Sequence, residues 1–301
     1  MFENLNEKNY LQLILFGLVL LLSSVLLMSL GYVIGIFIWD GADVTLALEG
    51  TFENDNQINI LKMFQVLNQL SMFIIPPFVL YFLLREKIEN YLGLSISPNI
   101  NTFIALVFLY IFSIPFIQWS MEINQQMSLP EALSGVESWM KEKEDIGALI
   151  TEKFLNVSTL SGFLLNIIMM AVLPAIGEEL LFRGLLMRWF SKAISNIHIN
   201  IIITAFLFSA IHMQFFGFLP RFILGIILGY SYYWTKSIWA PIWLHFINNA
   251  TTVTVYYWAF NSNSNVNPEE VGNVAGLEYV LLSVIIVAAI LRWMYKNRIE
   301  N

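Results

Sequence analysis

The chain has 301 residues, 57% of them hydrophobic and only 12% charged, with a mean hydropathy of +0.68. A soluble domain carries about 25% charged residues, so the composition excludes that class and points to a polytopic membrane protein. The formal net charge of −7 argues against nucleic acid as a partner, because phosphate binding needs clustered Lys and Arg. The lack of cysteine excludes thiol nucleophiles, disulfides and cysteine-ligated metal sites.

A spanning helix needs about 20 mostly apolar residues, and the apolar pattern predicts an all-α chain with eight transmembrane helices. The first covers Tyr10–Trp39. It is too long for the apolar part of a signal peptide, which runs about 7–15 residues behind a basic start, and reads as a retained helix. Asp40 to Ile60 is a polar, acidic loop. The second helix, Leu61–Leu84, holds Pro76 and Pro77; the third, Thr102–Met121, holds Pro115. Residues 122–158 form an amphipathic extramembrane segment with one or two short surface helices, read as a solvated cap. The fourth helix runs from Leu160 to about Ala193, and Pro174 is expected to bend it. A turn over Ser195–Asn200, which contains His198, leads to the fifth helix, Ile201–Gln214. The sixth is Arg221–Thr235, where Gly225 and Gly229 are spaced for close helix contact. The seventh is Ile238–Phe260, followed by an Asn-rich loop over Asn261–Gly276, and the eighth is Leu277–Tyr295.

Basic residues in short flanks mark the cytoplasmic side. Lys8, Arg85, Lys87, Arg188, Lys192, Lys236, Arg292, Lys296 and Arg298 then fall together, which places both termini in the cytoplasm. Arg221 reads as a flank anchor. The whole chain, 1–301, is expected to be one membrane domain in a bacterial cytoplasmic membrane, with the lipid bilayer as its surroundings and residues 160–260 as its catalytic core.

Within that core the segment 177–184 reads GEELLFRG. Glu178 and Glu179 are the sole acidic residues between Thr159 and Phe260. A charge at a bilayer centre costs roughly 2.5–3.5 kcal/mol or more, so such residues are candidates for function. Glu179 and Arg183 are four apart and share a helix face, acid first. Glu178 points about 100° away and lacks a partner in its own segment, which suits it to proton transfer. Glu178 lies 17 residues before Ser195 and His212 lies 17 after it. A hairpin would bring these two side chains to the same depth. His245 and Asn249 share a face of the seventh helix. A carboxylate and an imidazole can hold and deprotonate a water, while a second imidazole and an amide can donate to an oxyanion. Glu178, His212 and His245 could instead hold zinc, since two His and one Glu are a known catalytic set. Phe182 and Phe208 are expected to pack.

The motifs Glu178-Glu179-x-x-Phe182-Arg183, Phe208-x-x-x-His212 and His245-x-x-x-Asn249 resemble those of the CPBP family. These are intramembrane proteases of the CAAX-processing and bacteriocin-immunity type, and the resemblance covers about Leu160 to Phe260. It implies an endopeptidase acting on a peptide or protein at the membrane, of a family described both as metalloproteases and as metal-independent glutamate proteases. No cofactor is expected here, because Asn249 in the fourth place is a poor zinc ligand but a good hydrogen-bond donor. In that family's terms Glu178 and His212 would activate water, His245 and Asn249 would stabilise the oxyanion, and Glu179 and Arg183 would support the site. The rival readings are a zinc-dependent version, a peptide-binding immunity protein, or a proton-coupled membrane protein.

Overall fold

A computed structural model describes residues 9–50, 52–84, 92–262, 268, 271 and 276–299. Lys8, Arg85, Lys87 and most of the loop between Asn261 and Gly276 lie outside those residues. Among the described residues the chain folds into ten continuous helices and is all-α. These are α1 (Asn9–Ile38), α2 (Gly41–Leu48), α3 (Asp55–Leu84), α4 (Ile100–Gln125) and α5 (Ser134–Leu155). Then come α6 (Leu160–Ala193), α7 (Ile197–Ala210), α8 (Phe218–Thr235), α9 (Trp239–Asn261) and α10 (Leu277–Lys296).

All eight expected helices are present, and six are long and apolar enough to cross a membrane: α1, α3, α4, α6, α8 and α10. The protein is therefore an integral, multi-pass membrane protein. The other two differ for physical reasons. Helix α7 has 14 residues, about 21 Å at 1.5 Å per residue, against a hydrocarbon core of about 30 Å. Helix α9 is long enough at 23 residues, but His245, Asn248, Asn249 and its threonines lower its hydropathy.

Local chemistry moved several boundaries. The acidic loop after α1 contains a helix, because the Asp40 side chain accepts from the N–H of Ala42 and starts α2. Asn54 caps α3 through the N–H of Gln57, well ahead of the expected start at Leu61. Capping of this kind satisfies amide groups that a helix start leaves unpaired. Asp43 accepts side-chain hydrogen bonds from Asn54, Asn56 and Gln57, which hold its carboxyl below the usual range. Asn56 and Gln57 belong to the start of α3, so the polar cluster ties that start to α2. In the 122–158 segment α4 continues to Gln125, and one 22-residue helix, α5, follows. Asn196 caps α7 at His198, which therefore sits in a helix and bonds to the Tyr230 hydroxyl at 2.6 Å.

Two ends of the bundle are tied separately. At one, the Trp239 indole donates to Leu94 O at 3.0 Å, Ile299 N donates to Trp234 O at 2.9 Å, and Ser237 bonds to Ile96 O. At the other, Asn124 of α4 clamps the start of α8 by donating to Phe215 O and accepting from Leu219 N. There too Lys62 of α3 and Asn166 of α6 both donate to Phe154 O at the end of α5.

Helix α6 approaches α3 closely at Gly177. A Cβ there would lie 2.8 Å from Phe73 Cβ and 3.0 Å from Ile74 Cγ1. Both neighbours belong to a π-helical turn, Leu70–Ile74, inside α3. Overpacking of this kind costs about 1–3 kcal/mol. Gly177→Ala is expected to lower the melting temperature of the detergent-solubilised protein; a melt superimposable on wild type would refute this contact.

Candidate active site

Helix α6 departs from α-helical geometry on both sides of its glutamates. π-helical turns occupy Ile167–Val172 and Leu180–Leu186, with a short α-helical piece, Leu173–Glu179, between them. Such turns recur at functional sites. Pro174 opens that piece, and its missing N–H leaves the Met170 carbonyl without its ordinary i+4 donor. Asn249 of α9 supplies one, donating from Nδ2 to Met170 O at 3.2 Å. The helix distortion and the asparagine thus belong to one device.

Glu178, Glu179, Arg183 and His245 are all buried. Arg183 Nη1 donates to Glu179 Oε1 at 2.8 Å, as the four-residue spacing requires, and Nη2 donates to Gly225 O on α8 at 2.8 Å. Gly225 and Gly229 do pack closely, against Ala205 and Ile201 of α7. His245 Nδ1 donates to the same Glu179 oxygen at 2.9 Å. Glu179 therefore orients both a guanidinium and an imidazole.

Glu178 is held differently. Its Oε2 is buried and makes no hydrogen bond. That oxygen lies 3.8 Å from His212 Nε2 and 4.0 Å from His245 Nε2. The equal spacing of Glu178 and His212 about Ser195 does bring them to one level. His212, however, lies beyond the end of α7 rather than within it. The helix stops at Ala210, and Met213 takes a left-handed conformation at φ 53°. His212 Nδ1 donates to Phe208 O at 2.7 Å. A neutral imidazole that donates from Nδ1 keeps a lone pair on Nε2, here directed at Glu178.

Asn249 stands apart from these contacts, engaged with Met170 O and accepting from Asn248 Nδ2 at 3.0 Å. Phe208 packs as expected and links the site. Its ring meets Phe182, His212 and His245 edge-on, with centroids 5.2, 5.2 and 5.7 Å away, and Arg183 Cζ lies 4.9 Å from its centroid.

Two residues escaped the sequence reading. Gln69 of α3, buried, hydrogen-bonds Glu178; no spacing links residue 69 to 178, and only the close packing at Gly177 does so. Arg221 is not a flank anchor. Helix α8 begins three residues earlier than expected, and Arg221 sits inside it, bonded to Gln214 and within electrostatic reach of His212 and Glu178. It lines a cavity of about 940 Å³ together with Gln214, Leu244 and Asn248.

The site does not fit zinc. Ligand atoms at about 2.0–2.2 Å from a tetrahedral zinc lie within about 3.5 Å of one another, and the separations here are wider. Among the described residues no group of three or more His, Cys, Asp or Glu is arranged to hold a metal ion.

Arg183 thus braces Glu179, and two imidazoles face the second buried carboxyl, that of Glu178. Residues 160–251 match the family model described as Type II CAAX prenyl endopeptidase Rce1-like, and the chain carries a domain of that family, CPBP, over those residues. The chain is also similar to the uncharacterized protein YpbD of Bacillus subtilis (strain 168), 32% identical over 89 residues. That stretch is 28% of this chain and 42% of the relative, so the chain spans less than half the length of the curated relative it matches. No solved structure matches it significantly.

Proposed function

We propose that the protein is an intramembrane endopeptidase in which Glu178 activates water. The observation that carries this reading is the buried, unbonded Glu178 Oε2 with an imidazole nitrogen 3.8 Å away. The gap is too long for a direct hydrogen bond and short enough for one water to bond to both groups.

Such a water loses a proton to Glu178 as its oxygen attacks the peptide carbonyl, with His212 Nε2 accepting its second hydrogen bond and fixing its direction. The tetrahedral oxyanion is met by His245 Nε2 and Asn249. His245 donates there when both its ring nitrogens are protonated, with Glu179 accepting from Nδ1. The Asn249 amide has two hydrogens, one for Met170 O and one for the oxyanion. Collapse breaks the C–N bond, and the proton held by Glu178 passes to the leaving amine. Arg183 holds Glu179, and thereby His245, in place.

The test is cleavage of a peptide library by the purified protein in lipid nanodiscs. Glu178→Ala and His212→Ala are each expected to lower the rate by about 10²–10⁴-fold, the usual contribution of general acid–base groups. Cleavage unaffected by either change would exclude this mechanism, and no cleavage by the wild type would favour a binding protein.

A further inference from the structure

The side chains of the proposed reaction all lie within the matched residues 160–251. Gln69 lies outside them, on α3, yet it bonds to Glu178. An ionised carboxylate only accepts hydrogen bonds, so the NH2 group of Gln69 is the donor. Glu178 Oε2 has no partner, so the bond falls on Oε1. The end torsion of a glutamate is broad, and a carboxyl free to turn would present either oxygen to the imidazoles. Gln69 decides which oxygen is left for the water.

The amide oxygen of Gln69 is itself buried without a hydrogen-bond partner, in a residue only 6% exposed. A buried acceptor left unpaired disfavours the fold, and an apolar side chain of similar volume would avoid that cost. A glutamine kept in such a place serves something other than stability.

Two neighbouring helices build its position. Gln69 immediately precedes the π-helical turn Leu70–Ile74, where Ile75 N donates to Leu70 O. Ser71 O thereby loses the Ile75 N–H that an α-helix would supply, and the next residue, Pro76, has no N–H to give. Ser23 of α1 supplies the missing donor, from Oγ to Ser71 O at 2.7 Å. Asn249 does the same for Met170 O in α6. The turn held by Ser23 seats Phe73 and Ile74 on Gly177, the residue before Glu178, and so sets Gln69 against the carboxyl.

We infer that Gln69 is a positioning residue of the reaction, fixing Oε1 of Glu178 so that Oε2 faces the water. The active site is then completed by α1 and α3, from outside the family domain. This role rests on the proteolytic reading above.

The test is steady-state hydrolysis in nanodiscs, with a thermal melt of each preparation, for wild type, Gln69→Met and Gln69→Asn. The substrate is a library peptide chosen because the wild type cleaves it. Methionine keeps the volume and removes the donor. Asparagine keeps the amide but withdraws it by one carbon–carbon bond, about 1.5 Å. Both variants are expected to lower kcat about 10–100-fold, the scale of misplacing a reacting group by about 1 Å. KM is expected to stay within about twofold of wild type, as for an interaction that acts in the transition state, and the melting temperature to hold. A raised KM with kcat intact would put Gln69 on the substrate instead of on Glu178 and overturn the inference. A melting temperature that falls in step with turnover in both variants would make Gln69 structural and overturn it too. Hydrolysis at the wild-type rate by both variants would overturn this inference alone. A wild type that cleaves no peptide would overturn the proteolytic reading, and the role of Gln69 with it.

Discussion

Glu178→Gln is expected to abolish measurable peptide hydrolysis while leaving the protein as stable as wild type or more so. The carboxyl is buried, and its Oε2 has no hydrogen-bond partner. An unsatisfied buried polar group costs about 1–3 kcal/mol, more when charged, and the glutamine is an uncharged isostere of similar volume. A residue kept at the expense of stability is the signature of a working site. The check pairs turnover in nanodiscs with a thermal melt of the same preparation. Lost activity with an unchanged or raised melting temperature is the expected result. A melting temperature lowered by many degrees would instead make Glu178 a structural residue.

Arg183→Met is expected to have the opposite profile. Arg183 is the cation that Glu179 faces, at 2.8 Å and with both side chains buried. Removing one partner of a buried ion pair costs about 3–5 kcal/mol, because the other is left as an uncompensated charge. The variant also loses the tie to Gly225 O and so the anchorage of α8 to α6. Poor yield and a large drop in melting temperature follow. The double change Glu179→Gln/Arg183→Met removes both charges and is expected to recover much of that stability without restoring activity, since His245 loses the carboxylate that holds its Nδ1. Thermal melts of the single and double variants form the cycle that isolates the pair. An Arg183→Met protein that melts with wild type would show that the pair contributes little.

The contrast between these neighbours shows how much of the site was legible in the sequence. The pairing of Glu179 with Arg183 is local, set by helix periodicity, and was readable. The meeting of Glu178 with His212 was readable because two antiparallel helices joined by a short turn leave little freedom in depth. The contacts of Gln69 and Arg221 were not, because tertiary packing decides them. Nothing local says that the α3 turn Leu70–Ile74 seats against Gly177, or that α8 starts at Phe218. The π-helical turns of α6 leave no compositional mark either. Pro174 hinted at a bend, but the donor that satisfies Met170 O comes from α9, 79 residues away. In the fold, long apolar helices were plain from hydropathy. Helix α2 was hidden in an acidic loop because its start depends on one capping aspartate, and the length of α5 was missed because a polar surface helix has no apolar run to reveal it.

The central claim is that this chain hydrolyses peptide bonds with a water activated by a side chain. The most direct test is mass spectrometry of peptides incubated with purified wild-type protein in nanodiscs after exhaustive chelation. The expected result is continued turnover at discrete bonds, giving paired products with a free carboxylate and a free amine, and no covalent peptide adduct on the protein. Peptides left intact, activity that returns only with added zinc, or a trapped acyl-enzyme would contradict the account.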